Sequence, residues 1–316
     1  MSKLLAATSY GRPPALELVE RVVPAPGTGQ ATLRIEAASL NPYDLTLVSG
    51  AFDAAGERLP FPMASEGSGV VTAVGEGAVD ATGREVAVGD ALYGSFGGAA
   101  AEQATVATGG LFPRASEVDP GQAAGLFMAG TTAEHALAAV AVAAGDTVLV
   151  HGASGGVGSL VAQLAIQRGA RVIGTAGPAH HERLRGYGVV PVIYGDGLAD
   201  RIRELAPEGV TAAVDAVGTE EALAVSLEML ADPRRLVSIA NFSGAVQDAG
   251  GKVIGAGPGA DPGTEIRAAA RPMLVEALAA GTIEVPIARR FPLTAGADAY
   301  AFLASGHAGG KVIIEP

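Results

Sequence analysis

Cysteine is absent from all 316 residues. That one omission removes disulfides, thiolate zinc sites and a cysteine nucleophile. Tryptophan is missing as well and aromatic residues make up only 4%, so the core falls mainly to aliphatic side chains. Positive charge is scarce: 21 Lys and Arg stand against 33 Asp and Glu, for a net charge of −12. A chain this acidic repels phosphate backbones, so no nucleic-acid partner is expected. No apolar run approaches the ~20 residues of a membrane span; the longest, at 137–144, is far shorter, so no membrane partner is expected. The opening residues Met1-Ser2-Lys3-Leu4-Leu5-Ala6 contain no apolar stretch of signal-peptide length, and the expected compartment is cytoplasmic.

Hydrophobic residues make up 49% of the chain, and there are 45 glycines. The length suits two domains rather than one. The first 120 residues read as short strands between Gly- and Pro-rich turns, at 31–38, 69–74 and 83–93, which suggests a small barrel or sandwich. Residues 121–144 are Ala-rich and read as helix. Strands then alternate with helices. Strands are expected at 147–151, 171–175, 189–194, 212–217, 236–240 and 252–255, and helices at 156–168, 198–205 and 220–230. This spacing implies βαβ units and a parallel sheet. A helix at 266–280 and a last strand at 311–314 close the chain. The domains are expected at 1–120 with 262–316, and at 121–261. The fold class is α/β.

The most informative segment is Val148-Leu149-Val150-His151-Gly152-Ala153-Ser154-Gly155-Gly156-Val157-Gly158. Gly152, Gly155 and Gly158 are evenly spaced between an apolar strand and a helix. Small residues there let the backbone approach a pyrophosphate, while the helix N-terminus offers N–H groups and a positive dipole end. The helix presents Val157, Leu160, Val161, Leu164 and Ala165 on one face. The strand–glycine loop–helix context makes this a dinucleotide site, with Ser154, Gly155, Gly156, Val157 and Gly158 as its cradle.

An NAD site places an acidic residue about 20 positions further on to hold the ribose hydroxyls. That place here reads Gly174-Thr175-Ala176-Gly177, followed by His180, His181 and Arg183. With no carboxylate and three basic groups to meet a 2′-phosphate, NADPH is the expected cofactor. His180 and His181 have no third ligand nearby in sequence, and no metal is expected.

Four further segments carry a family resemblance. They are Asn41-Pro42-Tyr43-Asp44 with Ser49-Gly50, Pro62-Met63-Ala64-Ser65-Glu66-Gly67-Ser68-Gly69-Val70-Val71, Ala129-Gly130-Thr131-Thr132-Ala133, and Gly310-Lys311-Val312-Ile313-Ile314. In this order around the glycine motif, the chain resembles the medium-chain dehydrogenase/reductase superfamily in its zinc-free quinone oxidoreductase branch. The resemblance spans nearly the whole chain. It implies a GroES-like β-barrel domain built from both ends of the chain and a doubly wound Rossmann domain between them. Zinc-dependent relatives carry Cys where this chain has Asn41 and His where it has Ser65, and neither replacement is a usual zinc ligand. Lewis-acid activation by a thiolate-ligated zinc is therefore excluded.

By the same resemblance, Tyr194 lies near the cofactor 2′-phosphate, Lys311 lines the cofactor site, and His181 stands in for the usual phosphate-side lysine. Asn41 and Thr132 join the cofactor-binding set with Thr175, His181 and Arg183. The implied activity is hydride transfer to a small electrophile, a quinone or activated enone. Asn41 with Thr131 or Thr132 would stabilise the developing oxyanion, and Tyr43 or solvent would supply a proton. Glu66 and Asp44 are expected to be structural, as are the core residues Tyr93, Tyr300 and His135, with His307 solvated. The acceptor pocket is expected from 52–61, Phe96 and 242–248.

Alternatives on the same fold are an enoyl-thioester reductase, a non-redox biosynthetic enzyme and a nucleotide-binding protein without turnover. The thioester reductases place a Tyr where this chain has Phe52, which disfavours that reading. A homodimer is expected from relatives that pair sheets through the strand at 252–255, because an unpaired apolar edge is a liability.

Overall fold

A computed structural model of the protein describes residues 1–50 and 59–316. It divides into two units, Met1–Met128 with Val275–Pro316, and Ala129–Leu274. Each is described on its own. Phe52 lies outside the described residues, as does most of the expected pocket wall at 52–61.

The spine of the first unit is the strand Gln30–Leu40. It pairs antiparallel with Glu66–Val74 along one edge. Its other edge is shared between Gln103–Ala107 and the closing strand Lys311–Glu315. The register slips between Ile35 and Ala37. Because side chains alternate with period two, a one-residue bulge exchanges the faces beyond it. Before the slip Ala31, Leu33 and Ile35 pack with Val71, Leu92 and Leu111; beyond it Ala38 and Leu40 join Leu5, Met63, Val312 and Ile314 in a second cluster. Burying Leu33 and Leu40 fully contributes about 1.5–3 kcal/mol each. The bulge also delivers the strand end into the interior, where Asn41 begins the short helix Pro42–Val48.

Three elements depart from the sequence reading. The strand expected at 83–93 is Ala91–Ser95. The residues before it form turns around Asp80, whose Oδ1 accepts from the Thr82 and Arg84 N–H groups. The helix expected at 121–144 is two helices, Pro120–Ala124 and Leu126–Ala139. A Cβ on Gly125 between them would sit 3.1 Å from both Lys311 and Val285. The strand expected at 189–194 is only Val190–Val192, which leaves Tyr194 exposed beyond its end.

The second unit holds a six-stranded, wholly parallel sheet. Its spatial order is Val190–Val192, Arg171–Thr175, Thr147–His151, Ala212–Asp215, Leu236–Ser238, Lys252–Val253. The central strands are near-continuous apolar runs because both faces are covered. The order reverses between Thr147–His151 and Ala212–Asp215, and open parallel sheets bind ligands outside the strand carboxyl ends at such a switch point. The helix Gly156–Gln167 buries Leu160, Val161, Leu164 and Ala165 as its periodicity predicts, with Val157 only partly covered. No helix among the described residues is long and apolar enough to cross a membrane.

Candidate functional site

In the second unit, Thr147–His151 ends at Gly152, whose φ of +73° turns the chain back. Gly155 then caps the helix Gly156–Gln167. The first N–H groups of a helix have no intrahelical acceptor, so Gly156, Val157 and Gly158 present donors at the positive dipole end. A Cβ on Gly158 would lie 2.2 Å from the Gly152 carbonyl oxygen, whereas one on Gly155 would meet that oxygen at 3.3 Å. Gly158 therefore permits the close helix–strand approach, while Gly155 keeps the mouth of the cradle open. A Cβ on Gly155 would meet no side chain within 4 Å, and a cradle of helix N–H groups fits a pyrophosphate.

The neighbouring strand end fixes the loop. The Thr175 hydroxyl accepts from the Gly152 N–H at 3.0 Å. Arg183 donates to the Ser154 carbonyl at 2.8 Å, which brings a guanidinium against the cradle. The His181 Nε2 lies 3.1 Å from the Ala176 carbonyl; a carbonyl only accepts, so that nitrogen carries the hydrogen. Tyr194 is half exposed, and its hydroxyl would lie 3.9 Å from a Cβ on Gly177. Ser154, Thr175, His181, Arg183 and the glycines thus form one cluster around the strand ends.

Thr131 and Thr132 are buried on the helix Leu126–Ala139. Thr132 accepts from Arg267 at 3.0 Å. The Arg267 Nε donates to His135 Nδ1 at 3.3 Å, so His135 Nε2 carries the hydrogen and donates to Asp261 at 3.2 Å. Burial lowers the His135 pKa, in keeping with a neutral, structural ring. Sequence reasoning missed Arg267, because nothing local marks a partner 135 residues away. It also missed Asp215, whose carboxylate ties the Val217 and Gly218 N–H groups and the Ser238 hydroxyl at the sheet's carboxyl edge. An acidic residue ending the fourth apolar run, two residues before Val217-Gly218, was the available signal.

In the first unit, four buried polar residues meet: Asn41, Asp44, Glu66 and Lys311. Lys311 donates to Glu66 Oε1 at 2.9 Å and also to Asn41 Oδ1. The Asn41 amide donates to Glu66 at 3.0 Å and, more weakly, to the Ser39 carbonyl at 3.4 Å. Glu66 Oε2 accepts from the Met128 N–H at 2.8 Å. Asp44 Oδ2 accepts from the Asn41 N–H at 2.8 Å, closing the helix cap, and Asp44 Oδ1 accepts from Ser65 at 2.6 Å. Burial pushes the Asp44 carboxyl up to about 6 and the Glu66 charge adds to the rise, while the bonds from Ser65 and Asn41 and the Lys311 charge pull it back. Tyr43, on the same helix, is 37% exposed. Tyr93 and Tyr300 are buried and His307 is exposed. Among the described residues no group of three or more His, Asp or Glu could hold a metal ion.

Family profiles match at both ends of the chain, the alcohol dehydrogenase GroES-like domain over residues 27–138 and the zinc-binding dehydrogenase family over residues 187–314. A quinone oxidoreductase of Pseudomonas aeruginosa is 30% identical over 100% of both chains. A chloroplastic NADPH-dependent alkenal/one oxidoreductase of Arabidopsis thaliana is 28% identical over 98% of this chain and 78% of that protein. A mycobacterial structure solved as a complex with NADPH superposes with a TM-score of 0.82 at 30% identity, covering 100% of both chains. The chain spans about half the length, 53–55%, of the mammalian synaptic vesicle VAT-1 homologues that it matches at 35% identity. The barrel strands, the reversed parallel sheet with its glycine cradle, and these likenesses agree: the chain belongs to the medium-chain dehydrogenase/reductase superfamily, in its zinc-free quinone oxidoreductase-like branch.

Proposed function

We propose that the protein is a zinc-independent, NADPH-dependent reductase that transfers a hydride to a quinone or an activated enone. The observation that carries this reading is the open cradle at Gly155–Gly158 beside a strand end that offers Arg183 and His181 instead of a carboxylate. The first-turn N–H groups and Ser154 would hold the pyrophosphate, Thr175 would keep the loop in place, and His181, Arg183 and Tyr194 would meet the 2′-phosphate. Thr132 and Lys311 complete the cofactor-binding set. When bound, the cofactor supplies the hydride.

The chain's own residues must then stabilise charge on the acceptor. Addition to a quinone or enone leaves a developing oxyanion. The Asn41 hydrogen on the long bond to the Ser39 carbonyl is the one most readily redirected to that oxygen. The Lys311 ammonium, held by Glu66 and Asn41, adds a fixed positive charge, and the family resemblance adds the Thr131 and Tyr43 hydroxyls as candidates to meet the acceptor. The reading extends to a cytoplasmic homodimer. Lys252–Val253 ends the six-stranded sheet, with the Val253 carbonyl already accepting from the Asp261 N–H at 2.9 Å, and sedimentation analysis tests whether a second copy joins there.

The test of function is NADPH consumption by purified protein with ortho- and para-quinones, simple enones and a crotonyl thioester, with NADH in parallel. Turnover on quinones or enones with preference for NADPH is expected. Turnover confined to the thioester would assign an enoyl-thioester reductase. Cofactor binding without turnover on any acceptor would overturn the reductase reading in favour of a biosynthetic or non-catalytic role.

A further inference from the structure

The buried cluster in the first unit contains a carboxyl group that hydride transfer leaves without a task. Asp44 is 2% exposed. Its Oδ2 is fixed by the Asn41 N–H, and that bond turns Oδ1 onto the Ser65 hydroxyl at 2.6 Å. Asn41, Asp44, Glu66 and Lys311 are all buried, whereas Ser65 is partly exposed. Ser65 is thus the outlet of an otherwise enclosed chain of polar groups.

The backbone around Ser65 points the same way. Ala64 adopts φ +67°, in the left-handed region. A non-glycine residue there costs about 1–3 kcal/mol and persists only where its surroundings over-determine it. Here the Ala64 carbonyl is clamped by the N–H groups of Gly98 and Ala99 at 2.9 and 3.2 Å, and the Ser65 carbonyl by Phe96 at 3.0 Å. The twist turns the Ser65 hydroxyl onto Asp44 instead of continuing the extended chain.

We propose that Ser65 and Asp44 are the proton-delivery pair of the reduction. This rests on the reductase reading above. The hydride, released as its bond in the cofactor breaks, brings two electrons to the acceptor, forms one C–H bond on an enone or one O–H bond on a quinone, and leaves an enolate carbon or an anionic oxygen. The Ser65 O–H bond breaks as its proton moves to that atom. The Asp44 Oδ1–H bond breaks as its proton moves to Ser65 Oγ. Asp44 is left as the carboxylate and regains a proton from water, so charge and hydrogen balance over the cycle.

The carboxyl group suits this task. A carboxyl kept only to cap a helix is best ionised at the positive dipole end, yet burial and the Glu66 charge raise Asp44 to about 6. Glu66 and Lys311 are the charged groups that act on it, with opposite signs. At pH 7 roughly a tenth of such a group is protonated, close to the match between pKa and working pH that favours general acids.

The experiment uses the full chain with 1,4-naphthoquinone and 3-penten-2-one as acceptors. It reads kcat from pH 5 to 8.5 in H2O and D2O for the wild type, Ser65→Ala, Ser65→Thr, Asp44→Asn and Tyr43→Phe. In the wild type kcat is expected to fall about tenfold per pH unit above ~6 and to show a solvent isotope effect. In Ser65→Ala and Asp44→Asn it should drop roughly 100-fold or more, lose the pH limb and leave KM for NADPH unchanged. Ser65→Thr should restore both rate and limb. Asn at position 44 can still accept the cap hydrogen bond; should that variant fail to fold, the Ser65 variants decide. An unchanged rate and limb in Ser65→Ala overturns the pair, and loss of the limb in Tyr43→Phe alone gives the role to Tyr43. Absence of NADPH oxidation by the wild type with both acceptors overturns the reductase reading itself, and the pair with it.

Discussion

Gly155 and Gly158 stand three residues apart in one motif, yet the structure assigns them different work, and alanine at each should separate the two. On Gly158 a Cβ would lie 2.2 Å from the Gly152 oxygen, 2.8 Å from the Gly152 carbonyl carbon and 3.1 Å from the Ala153 Cα. All three obstacles are backbone, so helix and strand must part by about 1 Å to restore contact near 3.2–3.4 Å. Overpacking costs about 1–3 kcal/mol where side chains can yield; with rigid obstacles, Gly158→Ala should lose about 3 kcal/mol, less up to ~1 kcal/mol of helix propensity regained. On Gly155 the nearest atom is 3.3 Å away and φ is −72°, so alanine costs about 1 kcal/mol as a poorer cap. A valine at Gly155 adds methyl groups at the cradle mouth, so NADPH binding should be lost while the fold remains. Urea denaturation followed by circular dichroism reads stability, and fluorescence titration reads NADPH affinity. Gly158→Ala unfolding at the wild-type urea concentration would refute the close approach. Unchanged NADPH affinity in Gly155→Val would refute the phosphate cradle.

Three further outcomes are expected. Replacing both His181 and Arg183 with alanine should weaken NADPH binding by about 10–100-fold, the worth of one or two charge-assisted bonds, and NADH by much less; equal weakening in a titration would remove both residues from the 2′-phosphate site. Lys311→Met leaves the buried Glu66 without an opposite charge and should cost about 3–5 kcal/mol; adding Glu66→Gln should recover part of it, and denaturation showing simple additivity would deny the pairing. Burial pushes His151 down to about 4, with Asp215 opposing. The folded state therefore binds fewer protons than the unfolded one, and stability present at neutral pH is lost as pH falls from about 6.5 toward about 4. His151→Gln should flatten that acid limb in melts recorded from pH 4 to 7.5, and an unaltered limb would place its origin elsewhere.

Where the sequence carried its own punctuation, it was readable to the residue. Thr147–His151, Arg171–Thr175 and Leu198–Leu205 begin and end as expected, because apolar runs there meet glycine, proline or a change of period. The Ala-rich stretch after Pro120 reads as one long helix because alanine carries propensity without a stop. The break comes from Gly125 lying against Lys311 and Val285, residues far along the chain. The cradle was legible because all its parts lie within one short segment. Asn41, Glu66 and Lys311 were not, except through the family resemblance, since the bonds that join them span 25, 245 and 270 positions. The partners of His181 and Arg183 were hidden for a related reason: sequence displays a charge, but not the carbonyl it settles on. Asp44 reads from sequence as a structural residue, and its cap to Asn41 fits that; its second oxygen, on Ser65, leaves no trace in local pattern.

The closing strand also sets an order of events during synthesis. Ala129–Leu274 is one continuous stretch, so that unit can assemble as soon as it leaves the ribosome. The barrel unit cannot, because Gln30–Leu40 waits for Lys311–Glu315 along part of one edge. Lys311 follows Asn41 by 270 residues, and at 5–20 residues per second the delay is roughly 15–55 s. Through that interval the nascent barrel holds an open strand edge and a Glu66 without its lysine. Until Lys311–Glu315 arrives, a chaperone that shields strand edges would act on the amino-terminal residues while the later ones are still being made.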